Sequence, residues 1–160
     1  ILAEAAVIWE GLNAVQSQSY GAEARGGATR SDVIIAATAI HYPKVLQPNL
    51  LVCLTQEAYN KFSSIIRPGG LLITDSRYVK IQRKVDAQQR ELPIYRTVME
   101  QIGRPIVFNI CMLGCLIAIT DIVKPESIMK VLQTRVPRDF LEMNQKALQL
   151  GMELAARPPA

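Results

Sequence analysis

The densest group of chemistry-capable positions is Ser19–Thr29, SYGAEARGGAT, where Gly21, Arg25, Gly26 and Gly27 fall within seven residues. Glycine admits positive φ and lets another surface approach the backbone closely. The N–H groups so exposed can hold a phosphate or a carboxylate. Arg25 adds a permanent cation whose guanidinium donates in a bidentate fork. Glu23, two residues earlier, can orient Arg25 or pair with a neighbour, and Ser19 and Tyr20 open the segment. On residue types alone the segment meets an anionic ligand or a partner subunit, or is a tight solvated turn; both readings stand. No complete GxGxxG or P-loop pattern is present.

Other candidates are weaker. Asp75-Ser76 follows an apolar run, where ligands of parallel α/β sheets gather, but Asp also initiates turns. Thr55-Gln56-Glu57 reads as a helix cap with an acidic first turn. His41 is the single histidine and has no recognisable nucleophile motif nearby, so a catalytic triad is unsupported. The three cysteines, Cys53, Cys111 and Cys115, lack the spacing of a zinc site or a disulfide framework. Cys111 and Cys115 read as reduced core thiols, which places the chain in a reducing compartment, the cytoplasm. No metal ligands are expected in this chain.

The elements that must position these residues are those of one α/β domain. The 160 residues suffice for a sizeable core, and the formal charge of +4 is too small and dispersed for nucleic-acid recognition, though it suits an anionic partner. Basic residues gather only at Arg77, Lys80, Arg83 and Lys84. The longest apolar stretch, Pro105–Thr120, falls short of the about 20 residues that span a bilayer, so no membrane is implied. No signal peptide is visible. The chain opens on ILAEAAVIWEGL without Met or a cap, so upstream residues are expected to be missing.

Along the chain, Ile1–Trp9 suits a helix with Ala3, Ala6 and Val7 on one face, stopped by Gly11. Asn13–Gln18 suits a strand, Ser19–Thr29 a loop, and Arg30–Ala37 a short buried strand through Val33-Ile34-Ile35. His41–Asn49 is a connection. Leu50–Leu54 is a strand, a helix capped by Thr55 runs to about Ile66, and Leu71–Thr74 is the next strand. That order predicts a right-handed parallel crossover with strands buried on both faces. Arg83–Arg90 is polar, and a brief extended piece precedes a short helix within Pro93–Ile102. Helices follow at Ile106–Ile119 and from Pro125, and Asp139 with Glu142 forms a capping-box pattern for a last helix to about Ala155. Asn144, Ala147 and Gly151 share one helical stripe, and Asn109 with Gly114 similarly suits a close-packed core helix. The predicted fold is Rossmann-like, three-layered and mostly parallel, with a helix-rich C-terminal half. It forms a single domain over 1–156 with a tail at 157–160.

The ordered set of motifs is more specific than any one of them. Ser19-Tyr20-Gly21-Ala22-Glu23-Ala24-Arg25-Gly26-Gly27, then Ser31-Asp32-Val33-Ile34-Ile35, resembles the gamma subunits of 2-oxoacid:ferredoxin oxidoreductases, most of all the 2-oxoglutarate type. Further matches follow in order at Tyr42-Pro43, Leu50–Tyr59, Pro68-Gly69-Gly70, Asp75-Ser76, Asn109 with Leu113-Gly114, and Asn144, Ala147 and Gly151. The family opens with a strand and a GQG-type loop that are absent here. That absence would leave half a ligand site and a sheet edge able to associate, so a homodimer is possible for the isolated chain.

The resemblance implies an enzyme that decarboxylates a 2-oxoacid oxidatively, joins the acyl group to coenzyme A and reduces ferredoxin. Thiamine diphosphate, Mg and iron–sulfur clusters would be held by alpha, beta and ferredoxin-like delta subunits. This chain would not be catalytic alone and would bind no cofactor tightly. Its segment comprising Ser19, Tyr20, Gly21, Glu23, Arg25, Gly26 and Gly27 would meet coenzyme A or a subunit interface. Two alternatives are a purely structural assembly subunit and a free-standing nucleotide-binding domain.

Overall fold

The computed structural model describes residues 1–19, 28–82 and 85–156, without the side chain of Ser19. These residues fall into two compact units. One comprises Ile1–Val15, Ile34–His41 and Ile94–Ala160; the other comprises Gln16–Val33 and Tyr42–Pro93. The class is α/β, with a parallel sheet in the second unit and the helices concentrated in the C-terminal half.

The sheet unit is built on the strand–helix–strand unit expected from the sequence. β3 (Leu50–Cys53) and β4 (Gly70–Asp75) pair in parallel, with Leu50 beside Leu71 and Cys53 beside Thr74. Between them lies helix α2 (Gln56–Phe62), finished by a 3₁₀ turn at Ser63–Ile65. Thr55 caps α2, its Oγ1 accepting from the Ala58 N–H at 3.1 Å, and Glu57 lies in the first turn. Tyr59, Cys53, Ile66, Leu72 and Val79 form the core of this unit. β4, whose last four residues are all buried, is the middle strand. β3 is buried fully only at Cys53, so the expectation of burial on both faces holds for β4 but not for β3.

The third strand was hidden in the sequence. β5 (Ala87–Leu92, AQQREL) runs parallel to β4, with Gly70 beside Ala87 and Asp75 beside Leu92. The sequence had suggested only a polar stretch and a brief extended piece there. An edge strand draws its order from the ladder of its neighbour, and its half-exposed side chains carry no apolar signal. β1 (Asn13–Ser19) and β2 (Arg30–Ala36) pair with each other as a two-stranded sheet and contribute residues to both units. β2 is half-buried, with Ser31 exposed, rather than a buried core strand, because among the described residues it has a single neighbour.

The helical unit contains α1 (Leu2–Glu10), α3 (Ile94–Gln101), α4 (Phe108–Thr120), α5 (Pro125–Arg135) and α6 (Arg138–Ala156). Gly11 ends α1 at φ +66°, as expected, but the buried residues are Ala5 and Ala6, while Val7 is exposed. Small Ala side chains let α1 lie close against α5. Glu10 then caps α5 from outside: its carboxylate accepts from the Lys124 N–H at 3.0 Å and the Ser127 hydroxyl at 2.6 Å. At the other end, Arg135 donates to Glu4 at 2.9 Å, and between them the Lys130 ammonium sits 4.4 Å from the Trp9 ring centroid.

The firmest contact of this unit is between α4 and α6. A Cβ on Gly114 would fall on the Leu148 carbonyl and lie 3.2 Å from the Gly151 Cα. A Cβ on Gly151 would fall on the Cys111 carbonyl and lie 2.9 Å from the Cys115 nitrogen. The helices therefore cross backbone on backbone at a glycine pair, with Ala147 buried on the same stripe. Two details differ from expectation. Asn109 is exposed at the start of α4 rather than in the core. Asp139 lies inside the first turn of α6, which begins at Arg138 after Pro137, so it is not the cap residue. The helix start is instead closed by the Phe140 N–H donating to the Pro137 carbonyl at 2.9 Å.

Candidate functional site

Of the site residues read from the sequence, Ser19 ends β1. Tyr20, Gly21, Glu23, Arg25, Gly26 and Gly27 lie outside the described residues, as do Arg83, Lys84 and the 157–160 tail. What the structure defines is the stem from which the glycine-rich segment departs and to which it returns. On the outgoing side Gln16 donates to the Ser31 hydroxyl at 3.4 Å, tying β1 to β2. On the returning side stands Arg30, the first residue of β2.

Arg30 is a residue that the sequence reading passed over. Its Nε donates to the Asp32 carboxylate at 2.7 Å and its terminal nitrogen to the Val45 carbonyl at 2.6 Å. Its guanidinium carbon lies 5.7 Å from the Phe62 ring centroid. The spacing explains the pair: residues i and i+2 of a strand face the same way. An Arg-x-Asp motif at the head of a β-branched run was therefore a readable signal. One planar group thus joins β2, the Tyr42–Asn49 connection and the end of α2.

At the carboxyl end of β4, Asp75 is fully buried. Its Oδ1 accepts from the Arg77 N–H at 2.9 Å and the Tyr78 N–H at 3.3 Å. The turn reading of Asp75 is thus the one realised, and the chain then continues through Arg77 and Lys80. Gln56 holds that continuation with both ends of its amide: Nε2 donates to the Lys80 carbonyl at 3.2 Å, and the Lys80 N–H donates to Oε1 at 2.7 Å. His41 is exposed. Asn144 is buried and donates to the Phe140 carbonyl at 2.8 Å, a structural role.

Electrostatics separate the groups further. Burial pushes the Cys53 thiol up to about 11, so it is not a poised thiolate. All three cysteines are buried and none forms a disulfide. The hydrogen bond from Arg135 holds the Glu4 carboxyl below its ordinary value, and the bonds from Ser127 and Lys124 do the same for Glu10. Among the described residues no helix is long and apolar enough to cross a membrane.

Residues 1–154 match the pyruvate ferredoxin/flavodoxin oxidoreductase family. The chain belongs to this family. Among members, the 2-oxoglutarate synthase subunit KorC of Methanocaldococcus jannaschii is 43% identical, over 97% of this chain and 84% of that one. The gamma subunit of a keto/oxoacid ferredoxin oxidoreductase from Geobacter sulfurreducens is 44% identical at a TM-score of 0.86, covering 96% of this chain and 86% of that one. The 2-oxoglutarate:ferredoxin oxidoreductase from Magnetococcus marinus, solved with 2-oxoglutarate, coenzyme A and succinyl-CoA, shares the fold. Its TM-score is 0.86 at 20% identity, over 99% of this chain and 28% of that one. The resemblance read from the sequence is therefore correct at the level of family, and so is the α/β fold it implied.

Proposed function

We propose that this chain is the gamma subunit of a 2-oxoacid:ferredoxin oxidoreductase acting on 2-oxoglutarate. The observation that carries the reading is the near-full-length likeness to a 2-oxoglutarate synthase subunit and to a gamma subunit, at 43% and 44% identity. The complex converts a 2-oxoacid and coenzyme A to acyl-CoA and carbon dioxide, and two electrons leave to ferredoxin. When bound, thiamine diphosphate with Mg supplies the carbanion chemistry and iron–sulfur clusters carry the electrons. The alpha, beta and ferredoxin-like delta subunits hold those groups, and the assembly works in the cytoplasm. The donor set of this chain does not suit a cluster, which needs several accessible thiolates. Cys53 stands in β3, Cys111 and Cys115 stand in α4, and all are buried.

The contribution of this chain is the coenzyme A side of the active site. Arg25 and the backbone N–H groups of Gly21, Gly26 and Gly27 meet coenzyme A phosphates, with Ser19, Tyr20 and Glu23 beside them. The support is chemical: a glycine-rich stretch with one guanidinium is suited to a multiply charged anion. Two experiments test the reading. The tagged chain, purified from its own cells, should bring down alpha, beta and delta subunits; recovery alone would refute the subunit assignment. The recovered complex should reduce ferredoxin with 2-oxoglutarate and coenzyme A, and far more slowly with pyruvate. Within that complex Arg25→Ala should raise the apparent KM for coenzyme A, and an unchanged value with intact assembly would refute the coenzyme A contact.

A further inference from the structure

We infer that the loop Ser76–Gln82 is a face through which this chain meets an acidic surface of a neighbouring subunit, an inference that rests on the subunit reading given above. Charge sets the loop apart. Between Asp75 and Asp86 the sequence carries Arg77, Lys80, Arg83 and Lys84 and no carboxylate. The formal charge of the whole chain is +4, so this one stretch holds the entire excess and the remainder is balanced.

Ser76–Gln82 leaves the carboxyl end of β4, the middle strand of its sheet. Val79 is buried in the core of the sheet unit and anchors the loop from below. The residues around it are left outside: Arg77 and Lys80 are exposed, and Tyr78 and Ile81 keep 41% and 39% of their exposure. The backbone is bonded inward. The Arg77 and Tyr78 N–H groups donate to the Asp75 carboxylate, the Val79 N–H donates to the Asp75 carbonyl, and Lys80 is held at both its N–H and its carbonyl by Gln56. Four side chains are thus presented by a loop that is already fixed, and such a loop loses little conformational freedom on association.

The composition selects the occupant. The Arg77 guanidinium carbon lies 5.9 Å from the Tyr78 ring centroid, so cation and ring form one surface. Exposed apolar groups among cations suit a contact with a dry centre and a charged rim. A second copy of this chain is a poor match, because a two-fold contact through the loop sets its cations against one another. A partner surface with carboxylates facing Arg77 and Lys80, and apolar area facing Tyr78 and Ile81, satisfies both kinds of group.

The test uses the purified complex, diluted while release of this chain is followed by native mass spectrometry. Lys80 makes its bonds to Gln56 through its backbone, so its side chain can be changed without breaking them. Lys80→Glu should raise the concentration at half-release roughly tenfold at low salt. The gap to the parent should narrow at about 0.5 M salt, where exposed charges are screened. Lys80→Arg keeps the charge and should behave as the parent. Lys44→Glu makes the same reversal on another exposed loop and should stay within about twofold of it. In the parent complex a carbodiimide should join Lys80 to an Asp or Glu of another subunit. Equal release of the Lys80→Glu and parent complexes would overturn the inference and leave the subunit reading intact. So would equal weakening by Lys44→Glu, which would make the effect one of net charge, or a link from Lys80 to a second copy of this chain. Unchanged release beside a raised KM for coenzyme A would assign the loop to a small anion and overturn it likewise. Recovery of the chain without any partner would refute the subunit reading, and this inference with it.

Discussion

In the helical unit backbone rests on backbone; in the sheet unit side chains reach across to hold loops. The α4–α6 crossing at Gly114 and Gly151 leaves no space for a methyl group on either helix. The sheet unit depends instead on single polar side chains, with Arg30 binding a connection, Asp75 a turn and Gln56 a loop. Moreover, the buried Ser63 Oγ, Thr74 Oγ1 and Gln89 Oε1, which have no hydrogen-bond partner among the described residues, all belong to this unit. Close packing is stiff and tolerates little change of volume. Polar clasps on loops are local, can be lost one at a time, and are suited to segments that meet ligands. The difference divides the chain into a part held by close packing and a part held by single polar side chains.

The strongest way to break this contrast is a methyl group at the helix crossing. The obstruction at Gly151 is the Cys111 backbone, which cannot turn aside as a side chain would. Overpacking against it should cost about 3 kcal/mol, and the better helix propensity of Ala returns about 1 kcal/mol. Gly151→Ala should therefore lose about 2 kcal/mol net, a fall in Tm of roughly 4–8 °C by calorimetry. Gly114→Ala meets the Leu148 carbonyl and should act in the same direction. Combined, the two should cost less than their sum, because the first already separates the helices. A Gly151→Ala chain as stable as the parent would remove the packed half of the comparison.

Asp75 offers the corresponding test in the sheet unit. Asp75→Ala leaves the Arg77 and Tyr78 N–H groups without the carboxylate they donate to. Residues 76–78 are exposed, so solvent takes up part of the loss and the cost should be near the low end for an unmade bond, about 1 kcal/mol. Amide exchange should quicken over residues 76–80, and the helical unit should keep its protection. Equal loosening of α4 and α6 would show that the two halves are not energetically separate.

How much of this was legible beforehand follows the same division. The helix crossing was readable because Gly151, Ala147 and Asn144 repeat at helical spacing, and small residues at that spacing have one common use. The β3–α2–β4 unit was readable because its apolar runs, the Thr55 cap and the Pro68-Gly69-Gly70 break all agree. β5 was not readable, since AQQREL gains its strand conformation from hydrogen bonds to β4 and not from its own side chains. The Asp139 capping pattern failed because α6 starts at Arg138, two residues before the Phe140 start that an Asp139 cap would give. The glycine-rich segment stands out in the sequence by glycine content and family resemblance, and it lies outside the described residues. The polar clasps of the sheet unit were not legible, because Arg30 and Gln56 act on Val45 and Lys80, which are 15 and 24 residues away in sequence.

A pH test sharpens the picture of how α1 is attached. The Glu10 carboxyl is held below its ordinary value of 4.5, first by the Ser127 hydroxyl and then by the Lys124 N–H. A depressed folded-state value means that the stabilisation is fully present above the unfolded value and is lost as pH falls through the folded one. Glu10→Gln should thus lower Tm at pH 7, and the gap to the parent should close as pH falls below about 4.5. A gap that stays constant from pH 7 to pH 3 would assign the effect to the shape of the side chain and not to its charge. The carboxylate also faces the N-terminus of α5, where negative charge is favoured, so Gln should not recover the loss at neutral pH.

The smallest effect is expected at Gln56, and its smallness is the point. The side chain is half-buried and its bonds to Lys80 lie at the surface, so Gln56→Ala should change global stability by less than about 0.5 kcal/mol. Its amide nevertheless closes a two-way bond with Lys80, donating to the carbonyl and accepting from the N–H, as one strand residue does to another. Removing it should leave the Lys80 amide exchanging roughly fivefold faster, the equivalent of one net hydrogen bond of about 1 kcal/mol. Residues beyond the loop should keep their protection. In the helical unit no comparable separation of local from global stability is available, because displacing Gly114 displaces Leu148 and Gly151 with it. A loop that loosens while the fold stands is what distinguishes a clasp from a packed contact. If Gln56→Ala instead lowered Tm in step with its effect on Lys80, the loop would have to be counted as part of the cooperative core of the sheet unit, beside Val79 and Tyr59.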